Sequence, residues 1–176
     1  MKNIEQSEVE ELLHIIQDKP DQQIIHISDG SHILTRSLSK WCKKHHSHYY
    51  LYCTKDVFYD KSVTKYANQP QIHIVKFNLG HPIPTIQHMK YDYLIVTVDF
   101  TEQNKAVFLE KCYPVVRRGG SMIILIPSSS CTQRDEWRDI LTEQYHASMK
   151  VIDDLFEQYD VIVSKRLQPQ EIGSSL

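Results

Sequence analysis

The sequence predicts an α/β three-layer sandwich, and three observations carry that expectation. Short apolar runs alternate with stretches of helical periodicity along most of the chain, as strands and crossover helices do around a parallel sheet. The run Tyr93-Leu94-Ile95-Val96-Thr97-Val98 is apolar on both of its faces, which a strand needs when helices cover both sides. Two strand-like segments then stand side by side near the end of the chain with only a turn between them, so an antiparallel strand is expected there.

Val9, Leu12, Leu13 and Ile16 recur at helical spacing and predict an N-terminal helix within residues 1–18, ended by Lys19-Pro20-Asp21. Gln23-Ile24-Ile25-His26-Ile27 reads as a strand, Ser28-Asp29-Gly30-Ser31 as a turn, and Leu34, Leu38, Trp41 and Cys42 as the buried stripe of a second helix. Tyr49-Tyr50-Leu51-Tyr52-Cys53 is a second strand, with Tyr50 and Tyr52 on one face. Residues 57–66 are a third helix closed by Asn68-Gln69-Pro70, and 72–77 a third strand. After the fourth strand, Phe108, Cys112, Val115 and Val116 predict a helix over 102–117, with Gly119-Gly120 as its left-handed stop. Met122-Ile123-Ile124-Leu125-Ile126 is the fifth strand, ended by Pro127. Trp137, Ile140, Leu141 and Tyr145 mark another helix, and 149–152 and 159–163 the closing strands around Asp153-Asp154. Residues 1–166 are expected to form one domain and 167–176 a flexible tail.

Composition narrows the function classes. With 20 Lys+Arg against 22 Asp+Glu the net charge is -2, so nucleic-acid binding through charge alone is disfavoured. No apolar run approaches the ~20 residues that span a bilayer, and the first residues lack a signal-peptide core; the expectation is a cytoplasmic protein with no membrane partner. Only 5 of 176 residues are glycine, against a usual ~7%. Gly30 stands alone before Gly80, which excludes a P-loop and a three-glycine dinucleotide fingerprint. The cysteines, Cys42, Cys53, Cys112 and Cys131, show no C-x-x-C spacing and read as small buried residues.

In an open parallel sheet, ligands bind beyond the carboxyl ends of the strands, which directs attention to the loops at Ser28, Thr54, Asn78, Asp99 and Pro127. Asp99 is the catalytic candidate, and it is equally placed to cap the helix that follows. His26 is either a satisfied core histidine or a functional group near a strand end. His45, His46 and His48 are spaced to bind a transition metal, but they follow Lys43-Lys44 at a helix C-terminus, where polar and cationic groups complement the carbonyls. No metal centre is expected.

The stretch 91–99, the helix after it, Gly119-Gly120 and the strand 122–126 resemble the fourth strand, helix, "leader-GG" turn and fifth strand of class I S-adenosylmethionine-dependent methyltransferases. The resemblance spans about residues 1–166. It implies a Rossmann-like, seven-stranded, mostly parallel sheet. It also implies S-adenosylmethionine as cofactor, in contact with His26, Ser28, Asp29, Gly30, Ser31, Thr54, Asp56, Asn78 and Thr97, and Asp99 on the acceptor side. The cofactor loop departs from the family pattern: His26 stands at the acidic position, and Ser28, Gly30 and His32 at three glycine positions, of which one is kept. The second strand ends in Cys53-Thr54-Lys55-Asp56 where the family places an acid for the ribose hydroxyls. The metal-dependent members need acidic and Asp-Asn ligands, where this chain has Thr97 and Pro127-Ser128. Two functions follow: a methyltransferase with a divergent cofactor loop acting on a small-molecule or protein acceptor, or a non-catalytic binding or assembly module on the same fold.

Overall fold

The computed structural model describes residues 5–30, 32–83, 90–98, 100, 105–153 and 155–167. Helix α1 spans Gln6–Ile15, β1 Gln23–Ser28, α2 His32–Lys44, β2 His48–Cys53, α3 Asp56–Tyr66 and β3 Ile72–Lys76. Then follow β4 Tyr91–Thr97, α4 Lys105–Cys112, β5 Val116–Pro127, α5 Cys131–Asp139, β6 Ser148–Ile152 and β7 Tyr159–Lys165. The seven strands form one sheet in the order β3-β2-β1-β4-β5-β7-β6. β3 to β5 are mutually parallel, and β7 runs antiparallel to both β5 and β6. This is the predicted mostly parallel seven-stranded sandwich with its antiparallel strand near the C-terminus.

Strand alternation divides the core into two layers. Ile24, Leu51, Tyr93, Ile95 and Ile123 face α1, α2 and α3 through Val9, Leu12, Leu34, Leu38 and Phe58. Ile25, Ile27, Leu94, Val96 and Ile124 face α4 and α5 through Phe108, Leu109 and Trp137. Tyr50 and Tyr52 share that second layer, as their spacing predicts. β4 is buried along its whole length, because it lies mid-sheet with helices on both sides. The chain runs outward from β1 through β2 to β3 and then returns to β4 on the other side of β1, so the topological switch lies between β1 and β4.

Two helices differ from expectation. The helix read over 102–117 stops at Cys112, and residues 101–104 lie outside the described residues. Pro114 has no amide hydrogen to continue the helix, so a single 3-10 turn, Tyr113–Val115, follows it. β-branched Val116 then opens β5 by pairing with Tyr91. Gly119 and Gly120 therefore lie within β5, at an irregularity in its register with β4, and Gly119 takes φ 78°. Gly120 is needed for a different reason: a Cβ there would stand 2.7 Å from the Asp92 carbonyl oxygen. The last predicted helix also shortens, passing at Ile140–Gln144 into a π turn.

Candidate functional site

The carboxyl ends of β1, β2, β3 and β4 converge on one edge of the sheet. Ser28 ends β1, and its carbonyl accepts hydrogen bonds from the Thr54 amide at 3.0 Å and the Thr54 hydroxyl at 3.3 Å. The loop after β1 is thereby tied to the end of β2. The Ser28 hydroxyl accepts the Gly30 amide at 3.2 Å, a tight local turn that brings Gly30 to φ 145°. No heavy atom lies within 4 Å of where a Gly30 Cβ would be, so the loop borders open space.

Beside this loop lies a cleft of ≈ 710 Å³ lined by Thr54, Asp56, Phe77, Asn78, Leu79 and His81, among others. Phe77 and Leu79 supply apolar wall and Asp56 and Asn78 supply polar groups, in a volume suited to a small organic ligand. Asp56 opens α3 and pairs with Lys76, the last residue of β3, at 2.8 Å. The Asn78 side-chain oxygen accepts the Gly80 amide at 2.9 Å. Lys55 reaches across to Asp29 at 3.4 Å, so the acid of the first loop and the base at the end of β2 meet.

His26 lies below this surface, fully buried in β1. Its Nδ1 is 2.7 Å from the Tyr49 hydroxyl and its Nε2 is 2.7 Å from the Thr97 hydroxyl. Thr97 donates its own proton to the Ile27 carbonyl at 3.3 Å, so its oxygen accepts from Nε2–H, and Nδ1 is left to accept from Tyr49. Thr35 of α2 is hydrogen-bonded to Tyr49 in turn. The chain of bonds thus runs one way, from α2 through β2 and β1 to the end of β4. Burial holds the His26 pKa down at about 3 against a smaller opposing pull from Asp29, so the imidazole is neutral.

Of the sequence-predicted positions, Ser28, Asp29, Gly30, Thr54, Asp56 and Asn78 are brought to this edge, while His26 and Thr97 lie beneath it with their polar atoms engaged in the buried chain. Ser31 and Asp99 lie outside the described residues, and His32 enters as the first residue of α2. Sequence reasoning missed Lys76, Phe77, Leu79 and His81, whose places at the end of β3 follow from the strand boundary once it is known. On the β4 side, Phe100 packs on Phe108 and Trp137, and the fully buried Lys105 of α4 pairs with Glu136 of α5 at 2.5 Å.

The histidine cluster disperses. His45 pairs with Asp18 at 2.7 Å and packs on Trp41, His46 takes φ 53° at the end of α2, and His48 joins His73 of β3. Cys42, Cys53 and Cys112 are buried free thiols, as expected.

No family model and no curated protein matches the sequence. Solved structures match the fold. A methyltransferase from Aquifex aeolicus, described as dependent on S-adenosylmethionine, superposes with TM-score 0.68 at 14% identity, over 90% of this chain and 89% of that one. Aeropyrum pernix fibrillarin, in complex with natively bound S-adenosyl-L-methionine, gives TM-score 0.64 at 14% identity over 89% and 72%. The CMeT domain of the citrinin polyketide synthase gives TM-score 0.66 at 11% identity over 92% of this chain, which spans about half (51%) of that structure. The chain therefore has the class I methyltransferase fold. No described helix is long and apolar enough to cross a membrane.

Proposed function

We propose that the chain binds S-adenosylmethionine at the carboxyl ends of β1 to β3 and transfers its methyl group to a small-molecule or macromolecular acceptor in the cytoplasm. The observation that carries this reading is the ≈ 710 Å³ cleft, at the carboxyl ends of β2 and β3, the end of the sheet at which such folds take ligands. The residues present fit the cofactor. The Asp56 carboxylate can accept both ribose hydroxyls, Asn78 can meet the adenine edge, and Phe77 and Leu79 can cover its faces. The open loop at Ser28, Asp29 and Gly30 receives the methionine end, with Asp29 as the counter-charge for its ammonium.

The cofactor brings an activated methyl on a sulfonium, and the work left to this chain is to hold and orient. His26 contributes by staying neutral: an imidazolium at the end of β1 would repel a cationic cofactor. Through Thr97 it also fixes the end of β4, two residues before Asp99, the group assigned to aligning the acceptor.

A second reading, a non-catalytic module, is favoured by the two ion pairs. Asp29 and Asp56 are engaged by Lys55 and Lys76, so a ligand that uses those acids must displace the lysines. A thermal-shift titration with S-adenosylmethionine and S-adenosylhomocysteine separates the readings. Ligand held at ~100 times its Kd raises stability by ~2.7 kcal/mol if it binds only the folded chain. No shift at millimolar ligand favours the module.

A further inference from the structure

A second pocket lies at the end of the sheet where the parallel strands begin, opposite the cleft. Its ≈ 240 Å³ open between the 3-10 turn before β5, the turn after the π segment and the end of β7, and its lining includes Pro114, Arg118, Tyr145, His146 and Arg166. The charge there is one-sided. Arg118 and Arg166 line the pocket and no acid does. The Pro114 carbonyl accepts hydrogen bonds from Lys90 Nζ at 2.7 Å and from Arg166 Nη1 at 3.0 Å, so an ammonium and a guanidinium are drawn onto one oxygen atom. Among the described residues Lys90, Arg118 and Arg166 make no ion pair. Glu110, whose charge reaches the Tyr145 hydroxyl, stands outside the lining. Three cations gathered without a counter-charge, in a chain whose net charge is -2, repel one another until an anion joins them.

We propose that this pocket binds the dianionic phosphoryl group of a small phosphate monoester. Arg166 is set for that contact in advance. Its Nη1 gives both hydrogens to backbone carbonyls, those of Pro114 and, at 2.5 Å, Val116, which fixes the plane of the guanidinium. The other edge of the fork, Nε–H and Nη2, makes no hydrogen bond among the described residues and has the geometry to meet two phosphate oxygens at once. The guanidinium carbon stands 5.7 Å from the centroid of the Tyr113 ring, and Tyr113 packs edge-on against Tyr145 at 4.8 Å, so the arginine rests on a supported aromatic face. Arg118 is exposed and unpaired, free to close on a third oxygen. His146 supplies a further N–H from a strained position: it takes φ 47° directly after the π turn Ile140–Gln144, a conformation that a residue other than glycine adopts at a cost. The number of charges selects the ligand. Lys90, Arg118 and Arg166 exceed the single charge of a carboxylate or a phosphodiester and suit a monoester, which carries about −1.5 to −2 at neutral pH. The pocket and the cleft lie at opposite ends of the sheet, so this site stands or falls independently of the methyltransferase reading.

Isothermal titration of the full chain with phenyl phosphate, at about pH 7.5 where the monoester is a dianion, tests the site. The parent binds one equivalent. Arg118→Ala removes an exposed side chain, so it retains the parent's melting profile, and it weakens binding by at least about tenfold. Arg166→Lys keeps the charge but loses the fork and weakens binding by a similar factor, at least about tenfold. Lys61→Ala, an exposed cation of α3, leaves affinity unchanged. Benzoate and dimethyl phosphate are monoanions that stand for a carboxylate ligand and for a nucleic-acid backbone, and each binds at least about tenfold more weakly than phenyl phosphate. No saturable binding of phenyl phosphate at millimolar concentration, unchanged affinity in the Arg118→Ala/Arg166→Lys double variant, or equal affinity for either monoanion overturns the proposal.

Discussion

His26 Nε2 and the Thr97 hydroxyl lie 2.7 Å apart across the β1–β4 pair, and both groups are buried. The bond joins the two strands that flank the topological switch; Nε2 donates it, while Nδ1 can accept from Tyr49 only as long as His26 is neutral. A side chain with an ordinary pKa of 6.5 is here held at about 3 by burial, so the unfolded chain binds a proton that the native one refuses. Between those values stability must fall as pH falls, and it is fully present above pH ~6.5. At pH 5 the loss relative to pH 7 from this group is about 2 kcal/mol. Urea unfolding at the two pH values should show that drop in the parent, and His26→Gln should flatten the difference by a similar amount. An unaltered pH slope in the variant would mean that other histidines carry it.

The two glycines are constrained for separate reasons and should fail separately. Gly120→Ala drives a Cβ against the Asp92 and Arg117 carbonyl oxygens, both backbone atoms. The expected cost is about 2–3 kcal/mol of stability, with ligand affinity unaffected because Gly120 is remote from the cleft. Gly30→Ala meets no neighbour but is strained at φ 145°, so about 1–2 kcal/mol is lost and cofactor affinity falls as well. Melting curves with and without ligand distinguish the two.

Burial pushes the Cys42 and Cys112 thiols up to about 12 and Cys53 up to about 11. Native protein should therefore protect all three from iodoacetamide at pH 8, while denatured protein reacts at each. Peptide mass mapping reads this directly; rapid native labelling of Cys53 would mean that the end of β2 opens in solution.

Lys76→Ala should release the Asp56 carboxylate for the ribose hydroxyls, and Lys55→Ala should remove the competing lysine from Asp29. Each is expected to tighten S-adenosylhomocysteine binding by roughly three- to tenfold, as a surface pair that competes with a ligand is removed. The effect should shrink at high salt, where the competing pairs are already screened. Weaker binding in both variants would show instead that the lysines contact the ligand.

The sheet was legible because its signals are local. Apolar runs such as 93–98 and 122–126 can be buried in few ways, and the closing strands 148–152 and 159–165 have no room for a crossover helix. The helix end at Cys112 was missed because Val115 and Val116 continue a helical spacing while belonging to a turn and a strand; Pro114 is the stronger signal. The positions Ser28, Thr54 and Asn78 were legible as strand ends, whereas Asp56 entered only through the family resemblance. What sequence could not supply was pairing across the sheet: that His26 bonds Tyr49 and Thr97, that Lys76 meets Asp56, and that His48 leaves its helix-end neighbours for His73. Each of these joins different strands or distant elements, and no periodicity along the chain encodes it.

The most direct test of the account is isothermal titration of S-adenosylhomocysteine into the parent chain and into Asp56→Ala. The parent should bind in one saturable step, and Asp56→Ala should bind at least about tenfold more weakly, since two charge-assisted hydrogen bonds are lost. Saturable binding that is indifferent to Asp56→Ala would place the ligand outside this cleft, and no heat from the parent at millimolar ligand would contradict cofactor binding altogether.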